Sequence, residues 1–229
     1  MAFLGITSAT KVISVGLSEN GIILAETTVA DKQAFTEDLI LHIDQIVGAR
    51  PDAPIHGIAV VQGPGSYSGL RGGLSVAKTL AQTMELPLLG VSALEALANN
   101  LIDCDSTIAA MTNARRKEFN FAVFAARDRK IKRLTEDFVM ESPQIIDKLS
   151  KIKGKITLVG EIVDIYEELK TVNPDTKIVV AEPANCYPRG GIVGAMGERL
   201  FKEHGISEDI LKMVPKYSHK PNIREWKGR

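Results

Sequence analysis

Twelve consecutive residues, Gln62-Gly63-Pro64-Gly65-Ser66-Tyr67-Ser68-Gly69-Leu70-Arg71-Gly72-Gly73, combine glycines, hydroxyls and a guanidinium, the groups that can hold an anion. They follow the apolar run Ile58-Ala59-Val60-Val61 and precede Leu74, Val76, Ala77, Leu80, Ala81 and Met84. The pattern predicts a strand, a glycine-rich turn and a helix. A helix entrance leaves backbone N–H groups unpaired, and residues without Cβ let another molecule approach them closely. Gly65, Ser66, Ser68, Gly69 and Arg71 are therefore candidate anion-binding residues, with Arg71 offering a planar fork of donors. The bland alternative is a turn that needs small residues, with Ser66 or Ser68 capping the helix.

The spacing excludes the familiar phosphate and nucleophile motifs. A Walker A loop needs Gly-Lys-Ser/Thr five residues after its first glycine, and no lysine lies in this stretch. The dinucleotide fingerprint fails because the third glycine, Gly69, arrives one residue late, and the centre between Gly65 and Gly69 is Tyr67 rather than a nucleophilic serine. The four histidines, His42, His56, His204 and His219, form no i,i+4 pair, so no metal site is predicted. Nothing places a base and an orienting acid beside Ser66 or Ser68 for a serine hydrolase. Glu167-Glu168 and Asp103/Asp105 read as solvated charges, and no cofactor is expected.

The elements that must position the turn alternate in a regular way. Residues 3–7, 12–17 and 22–28 read as three strands, with Asn20-Gly21 a strong hairpin signal. Phe35, Leu39, Ile43 and Ile46 then recur at helical spacing up to Gly48. A strand at 58–61, a helix at 70–84, a strand at 88–91 and a helix at 93–101 opened by Ser92 complete the first half. The second half repeats this order weakly, with strands at 107–111, 119–125 and 134–139, a helix at 144–149 after Pro143, a strand at 156–159, a helix at 165–172, a strand at 178–180 and a helix at 192–204. The class is α/β, with a boundary at 101–106. A first lobe is expected over residues 1–102, a second, abbreviated one over 103–211, and a basic, irregular or loosely held tail over 212–229.

Equal numbers of Lys+Arg and Asp+Glu, 28 each, argue against a globally basic nucleic-acid binder. Cys104 and Cys186 lack metal-type spacing and read as thiols of a reducing compartment. No span reaches the roughly 20 apolar residues of a membrane helix, so a soluble, cytoplasmic protein is expected.

Gly63-Pro64-Gly65-Ser66-Tyr67-Ser68-Gly69-Leu70-Arg71 strongly resembles the Gly-Pro-Gly-Ser-Phe-Thr-Gly-Leu-Arg signature of the TsaB (YeaZ) family. The likeness continues through Leu86-Pro87-Leu88-Leu89-Gly90-Val91-Ser92-Ala93-Leu94-Glu95-Ala96-Leu97-Ala98. Two halves built βββαβαβα likewise resemble the duplicated actin, Hsp70 and sugar-kinase (ASKHA) fold, of which TsaB is a compact version with a shortened second half. The resemblance implies a non-catalytic subunit of the machinery that makes threonylcarbamoyladenosine (t6A) at position 37 of tRNAs reading codons that begin with A. In that scheme TsaD transfers the threonylcarbamoyl group, TsaE is an ATPase that cycles the complex, and TsaB scaffolds TsaD. The tRNA would be met through the complex or through a local basic run at Arg115-Arg116-Lys117, Arg127, Arg129, Lys130, Lys132 and Arg133.

In that family the first two helices pair with those of TsaD, or with a second TsaB copy in a homodimer. Here the second helix has a core stripe of Leu70, Leu74, Ala77, Ala81 and Met84. Its other stripe, Gly69, Gly72, Gly73, Val76, Leu80 and Thr83, together with Ile40, Leu41 and Val47 of the first helix, is the candidate partner face. The alternative is a small ATPase or phosphotransferase of the same superfamily. Against it, the family's Ile-Asp-Thr-Ser reads Gly5-Ile6-Thr7-Ser8, and its Asp-Ala-Arg-Arg reads Asn113-Ala114-Arg115-Arg116. The carboxylates that would neutralise Mg²⁺ are missing. The family's first-helix His-Ser-Glu is Phe35-Thr36-Glu37, and its C-terminal Pro-x-Tyr-x-Arg reads Pro215-Lys216-Tyr217-Ser218-His219.

Overall fold

Two sheets carry the fold in a computed structural model that describes residues 1–30, 38–115, 117–162, 166–168, 177–205 and 209–219. The first has the order β3-β2-β1-β4-β5, from β1 (Ala2–Thr7), β2 (Ile13–Glu19), β3 (Ile22–Val29), β4 (Ile55–Gly63) and β5 (Leu88–Ser92). The β1-β2-β3 meander is antiparallel and β1, β4 and β5 are parallel. Asn20 and Gly21 both take positive φ, 50° and 76°, the geometry a two-residue hairpin requires.

The second sheet has the order β11-β10-β6-β7-β8, from β6 (Ser106–Asn113), β7 (Glu118–Arg127), β8 (Lys130–Arg133), β10 (Ile156–Gly160) and β11 (Ile178–Val180). A further strand, β9 (Phe138–Glu141), also pairs with β7. The strand expected over 134–139 is largely displaced, since residues 134–137 form the break between β8 and β9, which lie end to end along β7, and only 138–139 are extended as expected. The β7–β8 turn places Asp128 and Arg129 at positive φ without a glycine, which hides it from turn statistics. At the break Leu134 is half exposed, and Thr135 Oγ1 accepts the Val123 N–H at 2.9 Å in place of a ladder carbonyl.

Helices α1 (Asp38–Ala49) and α2 (Tyr67–Thr83) cover one face of the first sheet. α3 (Ala93–Asn99), capped by Ser92, packs against both sheets and is almost entirely buried. α4 (Ser142–Ser150) backs the second sheet. Phe35 and the helix expected over 165–172 lie outside the described residues, apart from 166–168.

The closing helix, α5 (Gly190–His204), belongs to the stretch expected to form the second lobe, yet it lies across the free face of the first sheet. It can do so because both surfaces lack side chains where they meet. A Cβ on Gly5 would stand 2.0 Å from Gly190 O, one on Gly16 2.3 Å from Gly191 N, and one on Gly197 2.4 Å from Ala59 Cβ. The first-turn amides of α5 are satisfied by β-strand side chains. Gly190 N–H donates to Ser14 Oγ at 2.9 Å and Gly191 N–H to Glu26 Oε2 at 3.0 Å, with Arg189 closing an ion pair to Glu26. Further along α5, Glu198 is buried. Burial works to raise its carboxyl, but the Lys202 ammonium at 2.7 Å and the Gly21 N–H at 3.2 Å outweigh it and hold the group below the usual carboxylate range.

The tail is irregular, but the expectation that it is loosely held fails for residues 209–219. Met213 is 2% exposed within the first-lobe core, and Lys78 Nζ donates to the carbonyls of Leu211 and Met213 at 3.2 and 3.0 Å. Isolated sequence patterning misses this because one buried methionine in a polar segment carries no period. Residues 220–229 lie outside the described residues.

Two measurements check this packing. Gly5→Ala is expected to cost about 3 kcal/mol in chemical denaturation. Gly48→Ala, whose Cβ would meet nothing within 4 Å in α1, should be neutral or stabilising by up to about 1 kcal/mol. Because the folded Glu198 carboxyl is depressed, its contribution is present above the unfolded carboxylate pKa of about 4.3 and is lost as pH falls through the lower folded value. Urea unfolding of Glu198→Gln should therefore show a shallower loss of stability below about pH 4.5 than the parent chain.

Candidate functional site

The glycine-rich turn folds as its sequence predicts, and Ser66 caps α2 by accepting the Gly69 N–H at 3.4 Å. Three of its glycines, Gly65, Gly69 and Gly73, face the chain's own β1–β2 loop. A Cβ on Gly65 would lie 2.4 Å from Ala9 O, on Gly69 1.9 Å from Ser8 O, and on Gly73 2.4 Å from Ser8 Oγ. The Ser66 N–H donates to Ala9 O at 2.7 Å, and Ser8 Oγ–H donates to Gly69 O at 2.8 Å. The amides of Ser66 and Gly69 are thus engaged within the protein, and the missing side chains serve a close backbone approach. Ser68 is exposed beside Ser66, with the two hydroxyls 3.4 Å apart.

Arg71 points away from that loop. Its guanidinium stands 4.3 Å over the Tyr67 ring, and its Nε–H donates to Tyr217 Oη at 3.0 Å. Tyr67 and Tyr217 stack with centroids 5.0 Å apart. The signature turn and the C-terminal Pro-x-Tyr segment therefore meet in space across some 150 residues of sequence, counted from Tyr67 to Tyr217. Next along the tail, Ser218 Oγ bonds Asn120 Oδ1 and His219 lies 3.1 Å from Glu118 Oε2 on β7. Two of the cavities among the described residues lie between the sheets beside the tail. One of about 360 Å³ is lined by residues including Gln62, Gly90, Ser92, Asn120 and Lys216. The other, about 170 Å³, lies between Ser66 and Tyr67 on one side and Asn113 and Arg115 on the other.

The positions at which the resemblance would set carboxylates are closed or altered. Gly5 is pressed against α5, and Ile6 is fully buried in the core beneath α1 and α2. Asn113 is exposed at the end of β6, where its N–H donates to the Glu161 carboxylate. Glu161, Asn120 and Gln62 had no sequence signal as site residues, since strand pairing alone brings the ends of β10, β7 and β4 to the cleft. Among the described residues no group of three or more His, Cys, Asp or Glu could hold a metal ion. No helix among them is long and apolar enough to cross a membrane.

Three arginines of the basic run are paired with carboxylates. Arg127 pairs with Asp105 at 2.8 Å and Arg129 with Asp103 at 2.9 Å, so these aspartates are ion-pair partners and not merely solvated loop charges. Arg133 pairs with Asp137 and lies 3.7 Å from Glu95, while Lys130 and Lys132 project into solvent. Arg116 lies outside the described residues.

The outer layer formed by α1 and α2 carries exposed apolar residues on α1, whereas α2 turns Ser68, Arg71, Ser75, Thr79, Gln82 and Thr83 to water. Ile40 is 61% exposed and Leu41 62%. Val47, Val76 and Leu80 are partly buried against the first-lobe core, Gly72 is half exposed, and Thr83 is exposed. Gly69 and Gly73 turn toward Ser8, away from this surface. Met84 leaves the core stripe expected for it and is 45% exposed, because α2 ends at Thr83 and the chain turns at Glu85 with φ of 54°.

Comparison with known proteins fits this architecture. A family profile described as "TsaD: tRNA N6-adenosine threonylcarbamoyltransferase" matches residues 32–181. The tRNA threonylcarbamoyladenosine biosynthesis protein TsaB of Bacillus subtilis is 25% identical over 221 residues, covering 93% of this chain and 95% of its own. The solved structure of YeaZ from Pseudomonas aeruginosa superposes with a TM-score of 0.77 at 17% identity, over 94% of this chain and 99% of that one. A ROK hexokinase from Thermus thermophilus shares the fold at a TM-score of 0.51 and 8% identity, over 87% of this chain and 99% of that one. The fold is the duplicated actin-like and sugar-kinase-like one, and the chain belongs to the tRNA N6-adenosine threonylcarbamoyltransferase (TsaD) family and, within it, to the TsaB (YeaZ) proteins.

Proposed function

We propose that this protein serves tRNA threonylcarbamoyladenosine biosynthesis as a non-catalytic subunit that binds TsaD through the outer face of α1 and α2. The observation that carries the reading is the exposure of Ile40 and Leu41, 61% and 62%, on a helix whose core stripe is separately satisfied by Leu39, Ile43 and Ile46. With Val47, Gly72, Val76, Leu80, Thr83 and Met84 they form a surface on which two further helices can lie. In the absence of TsaD, the same face is suited to a two-fold pairing with a second copy. TsaE and tRNA meet the assembled complex, with Lys130 and Lys132 the cations most available to phosphate.

The cleft supports a subunit without phosphoryl chemistry of its own. Ile6, at the position where the family carries aspartate, is part of an apolar cluster, and Asn113 supplies an amide instead of a carboxylate.

Light scattering after size exclusion is the direct test. The chain mixed with its cognate TsaD should elute as a heterodimer, and Ile40→Glu/Leu41→Glu should weaken that association at least about tenfold without altering the thermal midpoint. Equal binding by the variant would move the contact elsewhere, and no binding by the parent chain would end the reading. The isolated chain is expected to show no Mg²⁺-dependent ATP turnover above a heat-inactivated control. Turnover abolished by Arg71→Ala would instead support the phosphotransferase alternative.

A further inference from the structure

The tail does more than cover apolar surface. Residues 209–213 are fastened along one flank of α2 by Lys78 and by Met213 in the core. The next stretch crosses the end of β4. Buried Gln62 donates from Nε2 to Val214 O at 2.8 Å, and its own carbonyl accepts the Lys216 N–H at 2.7 Å. Gly63 permits the crossing, because its φ of 147° suits only glycine and a Cβ there would stand 2.0 Å from Lys216 O. Tyr217 then seats on Tyr67 and Arg71, still on the first lobe. One residue later the same stretch of chain is bound to the second lobe through Ser218 to buried Asn120, and His219 Nε2 lies 3.1 Å from Glu118 Oε2.

Asn120 is held for that contact by donating from Nδ2 to Thr112 Oγ1 at 3.1 Å, which leaves its Oδ1 turned to the tail. Both interlobe cavities have the tail as a wall, the larger through Lys216, Tyr217 and Ser218 and the smaller through Tyr217, Ser218 and His219.

We propose that residues 209–219 are a latch that holds the two lobes closed over the cleft, so that any ligand reaching the cleft floor must first release Tyr217 and Ser218. The anchors are unequal by design of the contacts. The first-lobe end includes a buried methionine and four backbone carbonyl or amide bonds, whereas the second-lobe end rests on one hydroxyl bond, with His219 beside Glu118. Release therefore begins at Ser218 and His219 and leaves residues 209–214 in place. This latch is internal to the chain and stands whether or not α1 and α2 bind TsaD.

The test uses the full chain with Cys104 and Cys186 replaced by alanine and spin labels at Ser68→Cys on the first lobe and Glu136→Cys on the second, both exposed positions. A single interlobe distance is expected for the parent. Tyr217→Ala/Ser218→Ala should broaden or lengthen it, with hydrogen exchange at 216–219 rising at least about tenfold while 209–213 stays protected. Gln62→Leu, which cuts the middle anchor from the other side, should act the same way, and Val214→Ala, whose side chain is 62% exposed, should change neither readout. Faster exchange with an unchanged distance would overturn the latch, as would no change in either readout.

Discussion

Everything in this molecule depends on a contact between surfaces that have no side chains. Gly5 and Gly16 on neighbouring strands meet Gly190, Gly191 and Gly194 on α5 at distances that leave no room for a single methyl group. Backbone-to-backbone approach of this kind makes many small dispersion contacts and admits no adjustment, since no rotamer can move aside. It seats the last long helix on the first sheet and buries β1 on both faces. Position 5 is pinned beneath α5 and position 6 faces the opposite core, so neither side of β1 offers a carboxylate a solvated place.

Local signals carried much of the architecture. The strand, turn and helix around Gly63 to Gly73, the Asn20-Gly21 hairpin and the Ser92 cap were legible because each is set by residues within a few positions of one another. The family signature also led to the right fold, which composition and periodicity alone would have left as an unspecified α/β protein. What was illegible is non-local. The Asp128-Arg129 turn uses residues with no special preference, the destination of α5 depends on glycines that answer one another across almost the whole chain, and Met84 is exposed only because the helix stops beside it. Asp103 and Asp105 are solvated as read, and what the sequence did not show is that the β7–β8 hairpin supplies Arg129 and Arg127 as their surface ion-pair partners.

The candidate site divides along the same line. Sequence placed Ser66, Ser68 and Arg71 at the head of α2, but glycines suited to a bound anion turned out to accommodate Ser8 and Ala9. A glycine-rich turn states only that something approaches closely. Whether that something is a ligand or the chain's own loop is decided by topology, here the return of the β1–β2 connection to the mouth of the cleft. Tyr217 gives the converse lesson, a residue marked in sequence only by the Pro-x-Tyr segment, with no partner indicated, that completes the aromatic and cationic cluster with Tyr67 and Arg71.

The placement of α5 also sets an order for synthesis. All five strands of the first sheet have been made once Ser92 is added, but the helix that covers its second face begins only at Gly190. At a translation rate of roughly 5–20 residues per second, about 100 intervening residues keep that face uncovered on the ribosome for on the order of 5–20 s. The second sheet and α4 are complete within that interval, so the half of the chain made later is the one able to finish folding first. The nascent first sheet therefore keeps its glycine-rich face, with Phe3, Gly5, Gly16 and Ala59, in contact with solvent until the final helix arrives to cover it.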